Sequence, residues 1–145
     1  MPFNFKKKTM TTKKLETVFI VEDSEIERSM LKDHLSKYKN LKVKEYSSGS
    51  ACIKDLIVGN AKEPDLILMD YFLDSNVSTS KDGLESLSKL KEVCPDTNVI
   101  MLTSVDNKRI IELAKEKGAL DYIVKGSSGF SDLDSVLKKH FSMGK

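Results

Sequence analysis

Five short apolar runs alternate with five segments of helical period: TVFIV (17–21), LKVKEY (41–46), DLILM (65–69), NVIML (98–102) and LDYIV (120–124). Nothing else in the chain narrows the fold as much. The first, third and fourth runs are continuous in Val, Ile, Leu, Met and Phe, the pattern of strands covered on both faces of a parallel sheet. The second alternates, Leu41, Val43 and Glu45 against Lys42, Lys44 and Tyr46, and suits a half-exposed edge. Between the runs, Ile26, Met30, Leu31, Leu35 and Tyr38 form one apolar stripe, and Leu84, Leu87 and Leu90 a second. Leu133, Val136, Leu137, His140 and Phe141 form a third. Ser24 and Asp82 read as N-caps, Asp82 with Glu85 in capping-box spacing, and Ser131 or Asp132 as the cap of the last helix. Gly118 sits where the fourth helix needs a C′ glycine. Such alternation implies an α/β domain with a parallel sheet and right-handed crossovers.

At 145 residues the chain has room for one domain with a real core, and no apolar stretch is long enough to span a membrane. Cys52 and Cys94 form no CxxC or Cys/His cluster, so they read as small buried hydrophobes in a reducing compartment, and a cytoplasmic protein is expected. Residues 1–14 hold five lysines and no acid; removing those five charges from the net +2 leaves the rest at −3. We therefore divide the chain into a basic, flexible tail (1–14) and a domain (15–145). A basic arm on a mildly acidic body is not the footprint of a nucleic-acid-binding face, so no direct nucleic-acid contact is expected.

The polar residues that break the apolar runs share one property. Glu22 and Asp23 follow the first run, Asp70 the third, Thr103 and Ser104 the fourth, and Lys125 the fifth. In a parallel sheet those ends lie on one edge, where open α/β sheets bind ligands. Three carboxylates there repel one another unless a cation neutralises them, and an all-oxygen set favours a hard ion, Mg²⁺ first, with Mn²⁺ as an alternative. A carboxylate beside a cation, an ammonium and a hydroxyl has the parts of a phosphoryl-transfer site. The loop "VEDSEIE" is acidic and has no glycine fingerprint, which argues against a dinucleotide or flavin.

The ordered set "VFIVEDS", "LILMD", "VIMLTS" and "DYIVKG" resembles the response-regulator receiver domain of two-component signalling, over roughly residues 16 to 142. The resemblance implies a single doubly wound, three-layer (βα)5 domain with a five-stranded parallel sheet of order 2-1-3-4-5. It implies Asp70 as phosphoacceptor, with Lys125 and Thr103 as its catalytic partners. Glu22, Asp23, Asp70 and the backbone carbonyl of Phe72 would hold the metal. Thr103 and Tyr122 would form the switch toward the face built by the fourth helix, the fifth strand and the fifth helix, the α4–β5–α5 face of the family. A sensor histidine kinase or a histidine phosphotransfer protein would supply the phosphoryl group to a domain that catalyses only its own phosphorylation and slow dephosphorylation. The domain would act through a downstream protein partner, without membrane insertion, as a monomer or a phosphorylation-dependent dimer.

The chain departs from the family in three places. The loop from Asp70 to Gly83 is roughly five residues longer than usual, its Asp74–Asp82 part rich in Ser and Asp; it reads as a tolerated insertion or as a lid or partner contact. Gly126 replaces the usual Pro after Lys125, which puts the cis peptide common there in doubt, since a non-Pro cis bond costs about 3 kcal/mol. Phe72 and Val105 stand where the family has polar side chains that orient the hydrolytic water, so slow loss of the phosphoryl group is expected. No output segment follows the last helix, which suits a stand-alone receiver, a relay intermediate or a fragment of a longer protein. Two other readings are a receiver-like interaction module that is never phosphorylated and an Asp-nucleophile phosphatase. "DYFLD" lacks the DxD spacing of the latter.

Overall fold

The continuous apolar runs become the interior of the sheet. The computed structural model describes residues 12–71, 83–126 and 130–144. Its strands are β1 (Thr17–Val21), β2 (Lys42–Tyr46), β3 (Leu66–Met69), β4 (Asn98–Thr103) and β5 (Asp121–Val124). They form one parallel sheet in the order β2-β1-β3-β4-β5. This is the expected doubly wound topology. The alternating run forms edge strand β2, which pairs only with β1 among the described strands.

The five helices are α1 (Glu25–Leu35), α2 (Gly49–Val58), α3 (Gly83–Val93), α4 (Lys108–Glu116) and α5 (Ser131–His140). Successive strand side chains point to opposite faces, and each face builds its own core. Phe19, Val21, Ile67, Met69, Val99 and Met101 pack with Cys52 of α2, Leu87 and Leu90 of α3, and Ala114 of α4. Val18, Ile20, Leu66, Leu68, Ile100 and Leu102 pack with Leu31 and Leu35 of α1 and Leu133 and Leu137 of α5. Both cysteines are free and buried.

Local chemistry sets the helix ends. Ser24, Ser48 and Asn107 accept hydrogen bonds from the backbone N–H groups of Glu27, Ala51 and Ile110 and so cap α1, α2 and α4. Gly118 follows α4 at φ 108°, a left-handed conformation that glycine adopts without strain. The last helix corrects one expectation. Neither Ser131 nor Asp132 is its N-cap; Phe130 holds that position with no side-chain cap bond. Asp134, one turn in, is instead committed to the end of α1 and the turn after it: it accepts from His34 Nε2 (2.9 Å), Lys37 Nζ (2.7 Å) and the Tyr38 hydroxyl. The proposed cap Asp82 lies outside the described residues.

The stripe on α1 is also narrower than its sequence suggests. Leu31, Leu35 and Tyr38 are buried, but Ile26 and Met30 are 73% and 56% exposed. Each residue turns a helix by about 100°, so Met30 lies a quarter-turn from Leu31, beyond the strip the sheet covers. The described end of the basic tail docks: Lys13 Nζ lies 3.0 Å from Asp65 Oδ1, and the Lys13 carbonyl accepts from Ser142 N at 2.9 Å. Among the described residues no helix is long and apolar enough to cross a membrane.

Candidate functional site

The register of the sheet builds the site. Val21 pairs with Met69 across β1 and β3, so the next residues, Glu22 and Asp70, leave the sheet side by side. Strand order reverses here, because β1 connects outward to β2 and β3 lies on its other side. The backbone holds each group in place. Asp70 N donates to the Val21 carbonyl (3.2 Å), Glu22 N to Tyr46 (3.0 Å) and Lys125 N to Thr103 (2.8 Å). Arg28 of α1 clamps the Glu22 carbonyl through Nη1 at 2.8 Å and faces Glu45 of β2.

One carboxylate oxygen each from Glu22, Asp23 and Asp70 lies within 4.8 Å of the others. Glu22 is buried, and burial pushes its carboxyl up to about 7; the Ser24 N–H and Lys125 oppose that shift and Asp70 adds to it. Lys125 Nζ bonds Glu22 Oε1 at 3.1 Å and also Glu27, and stands 4.0 Å from Asp70 Oδ2. Burial works against its charge, yet Glu27, Glu22 and Asp70 together hold its pKa above the usual lysine value. Asp70 Oδ1 is buried with no hydrogen-bond partner among the described residues. A buried carboxylate oxygen left bare is costly, and a cation bound between the three acids would satisfy it. The donor set therefore fits a hard divalent ion.

Thr103 is fully buried at the end of β4, its hydroxyl accepting from Val105 N at 3.3 Å. Tyr122, half-buried on β5, donates its hydroxyl to the Val105 carbonyl at 2.7 Å. Burial, with Asp70, Tyr71 and Asp106 nearby, pushes that hydroxyl up to about 12. The structure thus brings together Glu22, Asp23, Asp70 and Lys125, and sets Thr103, Val105 and Tyr122 along the neighbouring strand ends. Phe72 and the Asp74–Asp82 segment lie outside the described residues. The Lys125–Gly126 peptide is trans, as are all described peptides.

Two further residues shape the site and were not singled out from the sequence. Glu27, in the first turn of α1, takes one of the hydrogen bonds of Lys125. Gly83, the first residue of α3, donates its N–H to the Tyr71 carbonyl at 2.6 Å and lies so close to the Asp70–Tyr71 backbone that a Cβ would collide with it. The "SEIE" spacing could have signalled the first; the second depends on a tertiary approach that no local pattern records.

Residues 18–138 match the response regulator receiver domain family. The response regulator protein VraR of Staphylococcus epidermidis is 33% identical over 125 residues, 85% of this chain and 56% of that protein. The chain thus spans about half the length of the curated relatives it matches. Among solved structures, the phosphorylated cyanobacterial phytochrome response regulator RcpA superposes with a TM-score of 0.75 at 21% identity, covering 90% of this chain and 99% of that one. The BeF3-activated N-terminal receiver domain of Klebsiella pneumoniae RstA superposes with a TM-score of 0.70 at 26% identity, covering 86% and 97%.

Proposed function

The chain belongs to the response regulator receiver domain family, and from that premise we propose that Asp70 is its phosphoacceptor, loaded by a sensor histidine kinase or a histidine phosphotransfer protein in a reaction dependent on Mg²⁺, with Mn²⁺ as an alternative. The observation that carries this reading is Asp70 Oδ1, buried and without a hydrogen-bond partner among the described residues, beside two further carboxylates and one ammonium.

The chemistry divides among the residues as follows. An Asp70 carboxylate oxygen attacks phosphorus in line, forming the aspartyl O–P bond as the N–P bond of the donor phosphohistidine breaks. The electron pair of that bond returns to the imidazole nitrogen, which takes a proton from solvent. Glu22, Asp23 and Asp70 would hold the divalent ion, whose charge offsets the carboxylates and the phosphoryl oxygens. Lys125 meets one phosphoryl oxygen as a point positive charge, and Thr103 donates its hydroxyl to another, giving up the Val105 N–H. Tyr122 shares Val105 with Thr103, so a move of Thr103 reaches β5 and from there the α4–β5–α5 face.

Incubation with Mg²⁺ and acetyl phosphate, followed by intact mass, tests the reading. We expect one phosphoryl adduct on the wild type, none on Asp70→Asn, and loss of labelling in excess EDTA. No adduct on the wild type would instead support an unphosphorylated interaction module, and continuous turnover of phosphomonoesters a phosphatase.

A further inference from the structure

We infer that Glu27 is a positioning residue: in the unphosphorylated chain it tethers Lys125 toward α1, and phosphoryl transfer to Asp70 must break that tether. The inference rests on the receiver reading above and concerns how this particular site is regulated.

Glu27 stands in a capping position but does not cap with its side chain. Ser24 is the N-cap of α1, and Glu27 stands three residues on, the S-x-x-E spacing of a capping box. In that motif the glutamate reaches back to the N-cap backbone N–H. Here half of the motif forms, since Glu27 N donates to Ser24 Oγ at 3.2 Å. The other half does not: Ser24 N donates to Glu22 Oε2 at 3.1 Å instead. Glu22 has taken the place of Glu27, and the Glu27 carboxylate is turned to Lys125.

The backbones at both ends of this pair are fixed. Glu27 is held by the first turn of α1, and Lys125 by its N–H to Thr103. The ammonium is shared between Glu27 and Glu22, and its distance of 4.0 Å to Asp70 Oδ2 is beyond hydrogen-bond reach. A cavity of about 240 Å³, bordered by Glu22, Glu27, Asp70 and Lys125, gives the lysine space to move. A phosphoryl group on Asp70 therefore competes with Glu27 for one ammonium. Glu27 is half-exposed, so its role here is positional and it can be changed without opening the core.

The test compares wild type, Glu27→Gln and Glu27→Asp for the rate of labelling by acetyl phosphate in Mg²⁺, with thermal unfolding as a control. Gln removes the charge; Asp keeps it but is one methylene too short to hold the lysine. Both variants should be labelled about two- to fivefold faster, the scale of one ion pair at a partly exposed rim, with unfolding lowered by no more than the loss of that one pair. The Lys125 ammonium resonance in the unphosphorylated protein should shift in both, a signature that a merely structural role would not produce. The inference is overturned if both variants match the wild-type rate, if either is slower, or if only Gln is faster, which would make Glu27 a distant charge and no tether. A wild type that takes no phosphoryl group overturns the receiver reading and this inference with it; one labelled as fast as both variants overturns this inference alone.

Discussion

Gly83→Ala is the substitution whose effect the geometry specifies most closely. A Cβ on Gly83 would stand 2.6 Å from Tyr71 Cα, 2.8 Å from the Asp70 carbonyl oxygen and 3.0 Å from Met101 Cε. Carbon contacts settle near about 3.5–4.0 Å, so the start of α3 and the segment after β3 must separate by about 1 Å. The first two of these atoms are backbone, so no rotamer change relieves them. The 2.6 Å bond from Gly83 N to the Tyr71 carbonyl would be stretched by the same movement. Overpacking of this kind costs about 1–3 kcal/mol. The movement also shifts Asp70, the proposed acceptor, and a misplacement of about 1 Å at a reacting group can cost up to about a hundredfold in rate. We expect labelling of Asp70 by acetyl phosphate to slow about ten- to a hundredfold, and the urea midpoint to fall. Gly59→Ala is the control. Gly59 ends α2 at φ 80° with nothing within 4 Å of its would-be Cβ, so alanine there should cost about 1 kcal/mol of stability and leave the rate alone. A Gly83→Ala protein that unfolds and is labelled like the wild type would refute the close-approach argument, and equal slowing in both variants would reduce it to general destabilisation.

Burial alone would raise the Asp134 carboxyl, but Lys37, Tyr38 and His34 outweigh it and hold it at about 2 against the ordinary 3.8. With the folded pKa below the unfolded one, its contribution of about 2 kcal/mol is present in full above about pH 4 and lost as the pH falls toward 2. Asp134→Asn should therefore be less stable than wild type at pH 7 and lose less of its urea midpoint between pH 4 and 2; parallel pH profiles would contradict this. Tyr122→Phe removes the hydroxyl that holds the Val105 carbonyl, so amide exchange across residues 105–107 should quicken about five- to tenfold while Asp70 is still labelled, and unchanged exchange would rule out that anchor. If Phe72 and Val105 slow hydrolysis as the resemblance implies, Val105→Asn and Phe72→Asn should each shorten the phosphorylated lifetime in Mg²⁺; lifetimes equal to wild type would refute that expectation.

What could be read from the sequence, and what could not, divides along one physical line. A strand buried on both faces must be apolar throughout, so β1, β3 and β4 announced themselves, and the first polar residue after each had to lie at the sheet edge. That is why Glu22, Asp23, Asp70 and Thr103, with Lys125 after the fifth apolar run, stand out as a group in the sequence. A helix carries less information, because a 3.6-residue period admits apolar residues just outside the covered strip. Ile26 and Met30 fall in the apolar stripe of α1 for that reason, and the structure exposes them. Contacts between distant segments leave no local pattern at all. Asp134 meets Lys37 and Tyr38 across nearly a hundred residues, and Gly83 matters only because α3 starts against Asp70. Glu27 falls between these cases, since "SEIE" can be recognised as a capping box while the rewiring of that box through Glu22 cannot. The residues of the proposed reaction centre are thus fixed by where strands end, a one-dimensional property. The proposed tuning residue Glu27 acts through a neighbour brought in by folding, and it sits on α1 beside the exposed Ile26 and Met30, so by that proposal variation on α1 would alter the timing of phosphoryl transfer without touching the strand ends.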